Sequence, residues 1–200
     1  MMKGKLLMCG ALCALLLSSC DKEEVDKQEP IVAETVSDLP AAPTDQENDG
    51  GYTFFSFSNG IVDKADSASV AWDIAFRSTS IIVNNGISGP GETQLGIVDG
   101  IFSEIGEVPA AVSWKSDASA ESMAVPSGSG NGWYAYNPTN HEISPIAGKV
   151  FLVKTNAGNY AKFEILSYYK GAPTEYDISI PGRYYTFRYV YQPNGSMNFE

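Results

Sequence analysis

The most regular part of the chain runs from Tyr52 to Gly86, where apolar and polar positions alternate in short runs separated by polar turns. In residues 52–58, Phe55 and Phe57 alternate with Ser56 and Ser58, the period of two expected of a half-buried strand. Ser58-Asn59-Gly60 then turns the chain, because Asn and Gly tolerate positive φ. Residues 70–77 predict a second strand, with Val70, Trp72, Ile74 and Phe76 on one face and Ala71, Asp73, Ala75 and Arg77 on the other. Residues 80–83 are apolar and β-branched and predict a third, ending at Asn84-Asn85-Gly86. Faces this apolar need a second layer to cover them, and the remaining chain must supply it.

It supplies more strands. Residues 93–101 predict a short strand pair and 112–115 another short strand. Residues 116–131 are rich in Ser, Ala and Gly and predict a long exposed loop. Residues 132–136 return to strand, Asn137-Pro138-Thr139-Asn140 turns, and 141–146 pairs back as a hairpin. The clearest hairpin joins 149–154 to 159–169 through Thr155-Asn156-Ala157-Gly158, with Ala161, Phe163 and Ile165 sharing a face. Residues 183–191 place Tyr185, Phe187, Tyr189 and Tyr191 on one side, and 196–199 predict a terminal strand containing Met197 and Phe199. No segment sustains a period of 3.6. The fold class expected is therefore all-β, one antiparallel domain over residues 51–200.

The first fifty residues follow different rules. Lys3 and Lys5 precede an apolar run at 6–17 that is too short to span a bilayer. Leu17-Ser18-Ser19-Cys20 then reads as a bacterial lipobox, so residues 1–19 are expected to be a lipoprotein signal peptide and Cys20 the lipidated N-terminus. Cys9 and Cys13 leave with the signal, so Cys20 is the one cysteine of the mature chain and no internal disulfide can form. Residues 21–50 carry ten acidic residues, two lysines, three prolines and no aromatic. That composition predicts a flexible acidic tether over 20–50, spanning roughly 30 Å. Its start, Asp21-Lys22-Glu23-Glu24, is similar to an acidic surface-export signal, so the expected location is the outer membrane, surface-exposed and held there only by lipid.

Charge and chemistry narrow the function. The formal net charge is −11, and residues 51–200 contribute −5 of it, a poor match for nucleic acid. An enzyme is not expected. His141 is the sole histidine, and no Gly-x-Ser-x-Gly elbow is present. The glycines at 86–91 are followed by Glu92-Thr93, where a phosphate loop would need Lys-Ser/Thr. Asp73, inside an apolar run, is expected to cap loop amides or to pair with an arginine such as Arg77.

The runs FSFSNG at 55–60, WDIAFR at 72–77 and VNNGISGPG at 83–91 resemble the HmuY family of Bacteroidetes surface lipoproteins. The likeness resumes at Gly132-Trp133, at Lys149-Val150-Phe151-Leu152-Val153 and at Gly158-Asn159-Tyr160-Ala161-Lys162, covering roughly residues 52–191. The resemblance implies a protein that captures haem and delivers it to a TonB-dependent outer-membrane receptor. It also implies two axial ligands from loops on either side of the Gly-Trp strand. Asn137 and Pro138 stand where the second histidine of a two-histidine site would be, and His141 lies three residues later. Met123 is the candidate in the preceding loop, and Met197 is a third residue able to ligate iron. The alternative is a binding module for another porphyrin, a glycan or a host protein. A glycan binder would use an aromatic platform such as Trp133 with Tyr134, or Trp114.

Overall fold

The computed structural model describes residues 30–43 and 51–200. The signal peptide and Cys20 lie outside the described residues. The elements are strands and two short 3-10 turns. A five-stranded sheet has the order β1-β11-β10-β9-β6, built from β1 Val32–Pro40, β11 Gly182–Gln192, β10 Tyr160–Tyr169, β9 Lys149–Lys154 and β6 Gln94–Asp99. A four-stranded sheet has the order β3-β2-β4-β5, from β3 Gly60–Val62, β2 Thr53–Ser56, β4 Ile74–Arg77 and β5 Ser80–Val83. A third ribbon pairs β7 Tyr134–Asn137 with β8 Glu142–Pro145. Every strand pair is antiparallel, as the all-β expectation requires.

The two larger sheets face each other across one core of aromatic side chains. Phe55, Phe57, Ile74 and Phe76 come from the smaller sheet and its following turn, and Phe151, Phe163, Tyr185, Phe187 and Tyr189 from the larger. Phe76 stacks on Phe187 at 5.4 Å, and Phe55 meets the same ring edge-on at 5.3 Å. Such ring pairs contribute roughly 0.5–1.5 kcal/mol each beyond the area they bury. The larger sheet is also covered on its far side, where Leu152 and Tyr160 pack with Val108 and Phe199. That second layer is why β9 reads as an unbroken apolar run rather than as alternation.

Several expectations require correction. Residues 32–43 are not tether. Val32–Pro40 form β1, which pairs with β11 from Val32↔Tyr191 to Pro40↔Tyr184, and Leu39 and the following Ala41 are buried. Val32, Val36 and Leu39 supply apolar contacts spaced along an otherwise acidic stretch, and β11 offers them a sheet edge. The second strand begins at Ile74, not at residue 70. Val70 is exposed, and Trp72 packs with Phe54, Ala75 and Ile82 on the side away from Ile74 and Phe76. The Trp72 carbonyl accepts from the side-chain amides of Asn84 and Asn156, so side chains take the place of a ladder there. Residues 93–101 give one strand, β6, and residue 115 forms only an isolated bridge to Leu95. At the terminus, a bridge from Asn198 to Glu107 replaces the expected strand.

Candidate functional site

Loops from both sheets meet at one end of the sandwich, and buried polar side chains hold them together. Asp73 accepts from the backbone N–H of Phe57 at 3.0 Å and of Asn156 at 3.2 Å. This is the amide-capping role expected of it. Arg77 instead lies over the Tyr52 ring, 4.5 Å from its centroid. Burial pushes the Asp73 carboxyl above its ordinary range, and the hydrogen bonds from Phe57, Asn156 and Ser56 act in the opposite direction. Asn156 turns its Oδ1 to the N–H groups of Glu92 and Thr93, and Asn84 takes the N–H of Gly91 at 2.9 Å. A Cβ on Gly91 would sit 2.1 Å from Asn156 Oδ1, and one on Gly89 would sit 2.2 Å from Asn84 Oδ1. The run of glycines is therefore close packing of loop against amide side chains, not a phosphate cradle.

Asp117 was not singled out by the sequence, yet it sets the geometry of the next loop. It is fully buried, and its carboxylate accepts from Val83 N–H at 2.9 Å and from Ala124 N–H at 2.8 Å. Its carbonyl accepts from Ile87 N–H, and a Cβ on Gly86 would approach that oxygen to 2.2 Å. Asp117 and Glu121 are both acids of this Ser/Ala run, which leads into Ala124 and Val125, both buried. Residues 116–131 are thus pinned to the core through Asp117 and through buried Ala124 and Val125, in contrast to the long exposed loop expected.

This pinning places Met123. Its side chain is half-buried against the cluster of Phe54, Trp72, Ala75 and Ile82. It lines a cavity of about 480 Å³ with Lys115, Glu121, Ser122, Pro126 and Asn131 among its walls. Met123, Ala120 and Pro126 are the apolar part of that lining, and the rest of it is polar.

His141 lies elsewhere. It is exposed in the turn between β7 and β8, with φ +61, and its Nδ1 lies 2.6 Å from the hydroxyl of Tyr136. An Nδ1–H donated to that hydroxyl would leave the Nε2 lone pair free to ligate and would orient the ring. His141 is not among the residues lining the Met123 cavity. Met197, expected to pack in a terminal strand, is 51% exposed, and its carbonyl accepts from Val108 N–H on the far side of the larger sheet. Trp133 cannot serve as a glycan platform. It is 1% exposed, donates to Thr79 O at 2.8 Å and packs on Tyr134, Tyr168 and Tyr185. Trp114 packs against Tyr160. Among the described residues, no group of three or more His, Cys, Asp or Glu side chains is placed to hold a metal ion.

The fold is similar to that of the apo HmuY analogue of Tannerella forsythia, with a TM-score of 0.54 and 16% identity, over 84% of this chain and 100% of that one. Apo PinO from Porphyromonas gingivitis is also similar, with a TM-score of 0.51 and 14% identity, over 82% of this chain and 98% of that one. At such identities the likeness is one of fold. No curated protein sequence matches the chain. The family model described as HmuY protein matches residues 48–189, most of the chain, from just before β2 to Tyr189 within β11. The chain belongs to the HmuY family.

Proposed function

We propose that this protein captures haem at the cell surface, as a lipoprotein anchored through Cys20 in the outer membrane, and passes it to a TonB-dependent receptor. Membership of the HmuY family over residues 48–189 is the observation that carries this reading. The setting of Met123 supports it. Met123 packs beside the cluster of Phe54 and Trp72, and its half-buried thioether would be a soft, neutral ligand for iron. His141 is the candidate second ligand. Its Nδ1 contact with Tyr136 would fix the ring while Nε2 faces the iron. Met123 in the 116–131 loop and His141 in the β7–β8 turn are the residues that would hold the iron, each supplying a neutral ligand.

The test is a haemin titration of the mature protein, followed in the Soret region in ferric and ferrous states. A saturable, shifted band is expected. No shift in either state would overturn the haem reading and leave a binding module for a different ligand. Lipidation is tested separately by mass spectrometry of the membrane-extracted protein, which should show an acylated Cys20 as the first residue.

A further inference from the structure

Strand β1 is an edge of the five-stranded sheet and β3 is an edge of the four-stranded one. The two edge strands line one cleft of about 600 Å³, where the sandwich is open. We infer that this cleft binds an organic cation, an amine carried on an apolar body, and that Glu34 holds its charge. The cleft shares no lining residue with the Met123 cavity, and the inference is independent of the haem reading.

The body of the ligand is set by the walls and floor. Phe55, Phe57 and Tyr189 form the floor, with the Tyr189 ring 5.8 Å from Phe55 and 5.5 Å from Phe57, both edge-on. Phe55 and Phe57 are almost covered by the core, so a ligand meets chiefly the walls. Val32 and Val36 stand half-buried on the β1 side, and Ile61 stands 62% exposed on the β3 side. A cleft of this size, apolar on both walls and carrying few polar groups, has the form of a small-molecule site.

The charge of the ligand is set by Glu34. It lies between Val32 and Val36 along β1, and strand alternation turns all three side chains to the inner face. Glu34 stands opposite Tyr189 in the β1–β11 register, and its Oε2 accepts from the Tyr189 hydroxyl at 2.9 Å. That bond holds the carboxylate at the mouth of the cleft. Among the described residues its other oxygen accepts no hydrogen bond, and no lysine or arginine pairs with it. The lining contains no cation to balance it. An acid so placed repels a ligand carboxylate and attracts an amine. Glu142 also borders an aromatic hollow, but that space is only about 140 Å³, and both its oxygens already accept, from Asn140 and Ser144.

The experiment titrates three probes that share one ring, tryptamine, 3-ethylindole and indole-3-propionate, into wild type, Glu34→Gln and Ile61→Ser by calorimetry. Their tails are cationic, neutral and anionic at neutral pH. Wild type should bind tryptamine most tightly and the propionate least, and added salt should narrow the difference. Glu34→Gln keeps an acceptor for the Tyr189 hydroxyl. It should weaken tryptamine by roughly two- to fivefold, the range for an exposed ion pair, strengthen the propionate and leave 3-ethylindole unchanged. Ile61→Ser, at an exposed wall position, should weaken all three alike. The order of the probes on wild type tests the charge preference even where a variant folds poorly. Binding of none of the probes, equal affinities for all three, or a tryptamine affinity that neither substitution changes would overturn the inference. Self-association of the chain that Ile61→Ser abolishes would assign the cleft to a second copy and overturn it as well.

Discussion

The backbone N–H of Asn156 donates to a carboxylate oxygen of Asp73 at 3.2 Å, across 83 positions of sequence. The contact joins the β9–β10 turn of one sheet to the segment leading into β4 of the other. The second Asp73 oxygen takes Phe57 N–H, so one carboxylate satisfies two amides that neither sheet ladder reaches. Asn156 then uses its own side chain on Trp72, Glu92 and Thr93. Both Trp72-Asp73 and Asn84-Asn85-Gly86, the most distinctive motifs in the chain, are thereby accounted for as architecture that holds the loop end of the sandwich.

Asp73→Ala should therefore destabilise the domain. The buried N–H of Phe57 and the part-buried N–H of Asn156 lose their acceptor, at a cost of roughly 1–3 kcal/mol for a buried group left unsatisfied. Denaturant unfolding of the variant against wild type checks this. A change within experimental error would mean that water replaces the carboxylate without loss.

The same residue sets a pH dependence. Burial raises the native Asp73 carboxyl above its ordinary value of 3.8. A raised native value means the folded state holds the proton more tightly than the unfolded chain. Its contribution to stability is thus complete below 3.8 and is lost as pH rises through the raised native value. The stability gap between wild type and Asp73→Ala should be widest in acid and narrow toward neutrality. A gap that widens with pH would show the native carboxyl to be depressed instead.

At the alkaline end the tyrosines dominate. Burial pushes Tyr169 up to about 12, and it also raises Tyr168, Tyr185 and Tyr189. The unfolded chain loses these protons near 10, the ordinary value, while the folded chain keeps them. Stability should be intact below that point and fall as pH rises from there toward 12. Melting temperatures measured across this range check the slope. Tyr169→Phe should reduce it only slightly, and should cost some stability at neutral pH because Ile143 N–H donates to the Tyr169 hydroxyl.

β1 should be required for stability. Leu39 is 1% exposed, and Leu39→Ala should cost roughly 2–5 kcal/mol. Truncation through residue 43 should lower the melting temperature by many degrees, because it strips the partner from β11 and opens the space filled by Leu39 and Ala41. A truncated domain that melts with wild type would mean the pairing adds nothing to stability.

Much of this architecture was legible in the sequence, and the exceptions have physical causes. β5, β9, β10 and β11 announce themselves because their apolar faces meet the core directly. β1 was hidden because Val32, Val36 and Leu39 are sparse among acids, and only the β11 edge makes a strand of them. The face of Trp72 was misassigned because period-two counting assumes a ladder, whereas Asn84 and Asn156 hold its carbonyl from elsewhere in the chain. The capping role of Asp73 was readable, since a carboxylate in an apolar run must find donors. For Asp117 the decisive donor, Val83 N–H, lies 34 positions away, so nothing local marked it. Met123 and His141 were visible as the chemistry available, but their separate surroundings belong to the fold and not to the local sequence.

Tyr136→Phe offers a conservative probe of His141. It removes the hydroxyl that contacts Nδ1 and leaves the aromatic ring. If His141 ligates through Nε2, the variant should weaken haem binding modestly while His141→Ala weakens it more. Both effects should diminish in acid, where a protonated imidazole cannot ligate in any variant. Equal affinities for all three proteins at neutral pH would remove His141 from the site.

The most direct test of haem capture at the Met123 cavity is a ferrous haem titration of wild type, Met123→Ala and Met197→Ala. A thioether favours ferrous over ferric iron, so wild type should bind more tightly after reduction. Met123→Ala should lose that gain and shift the Soret band, while Met197→Ala, altered at an exposed residue away from the cavity, should match wild type. Identical spectra and affinities for wild type and Met123→Ala would contradict the account.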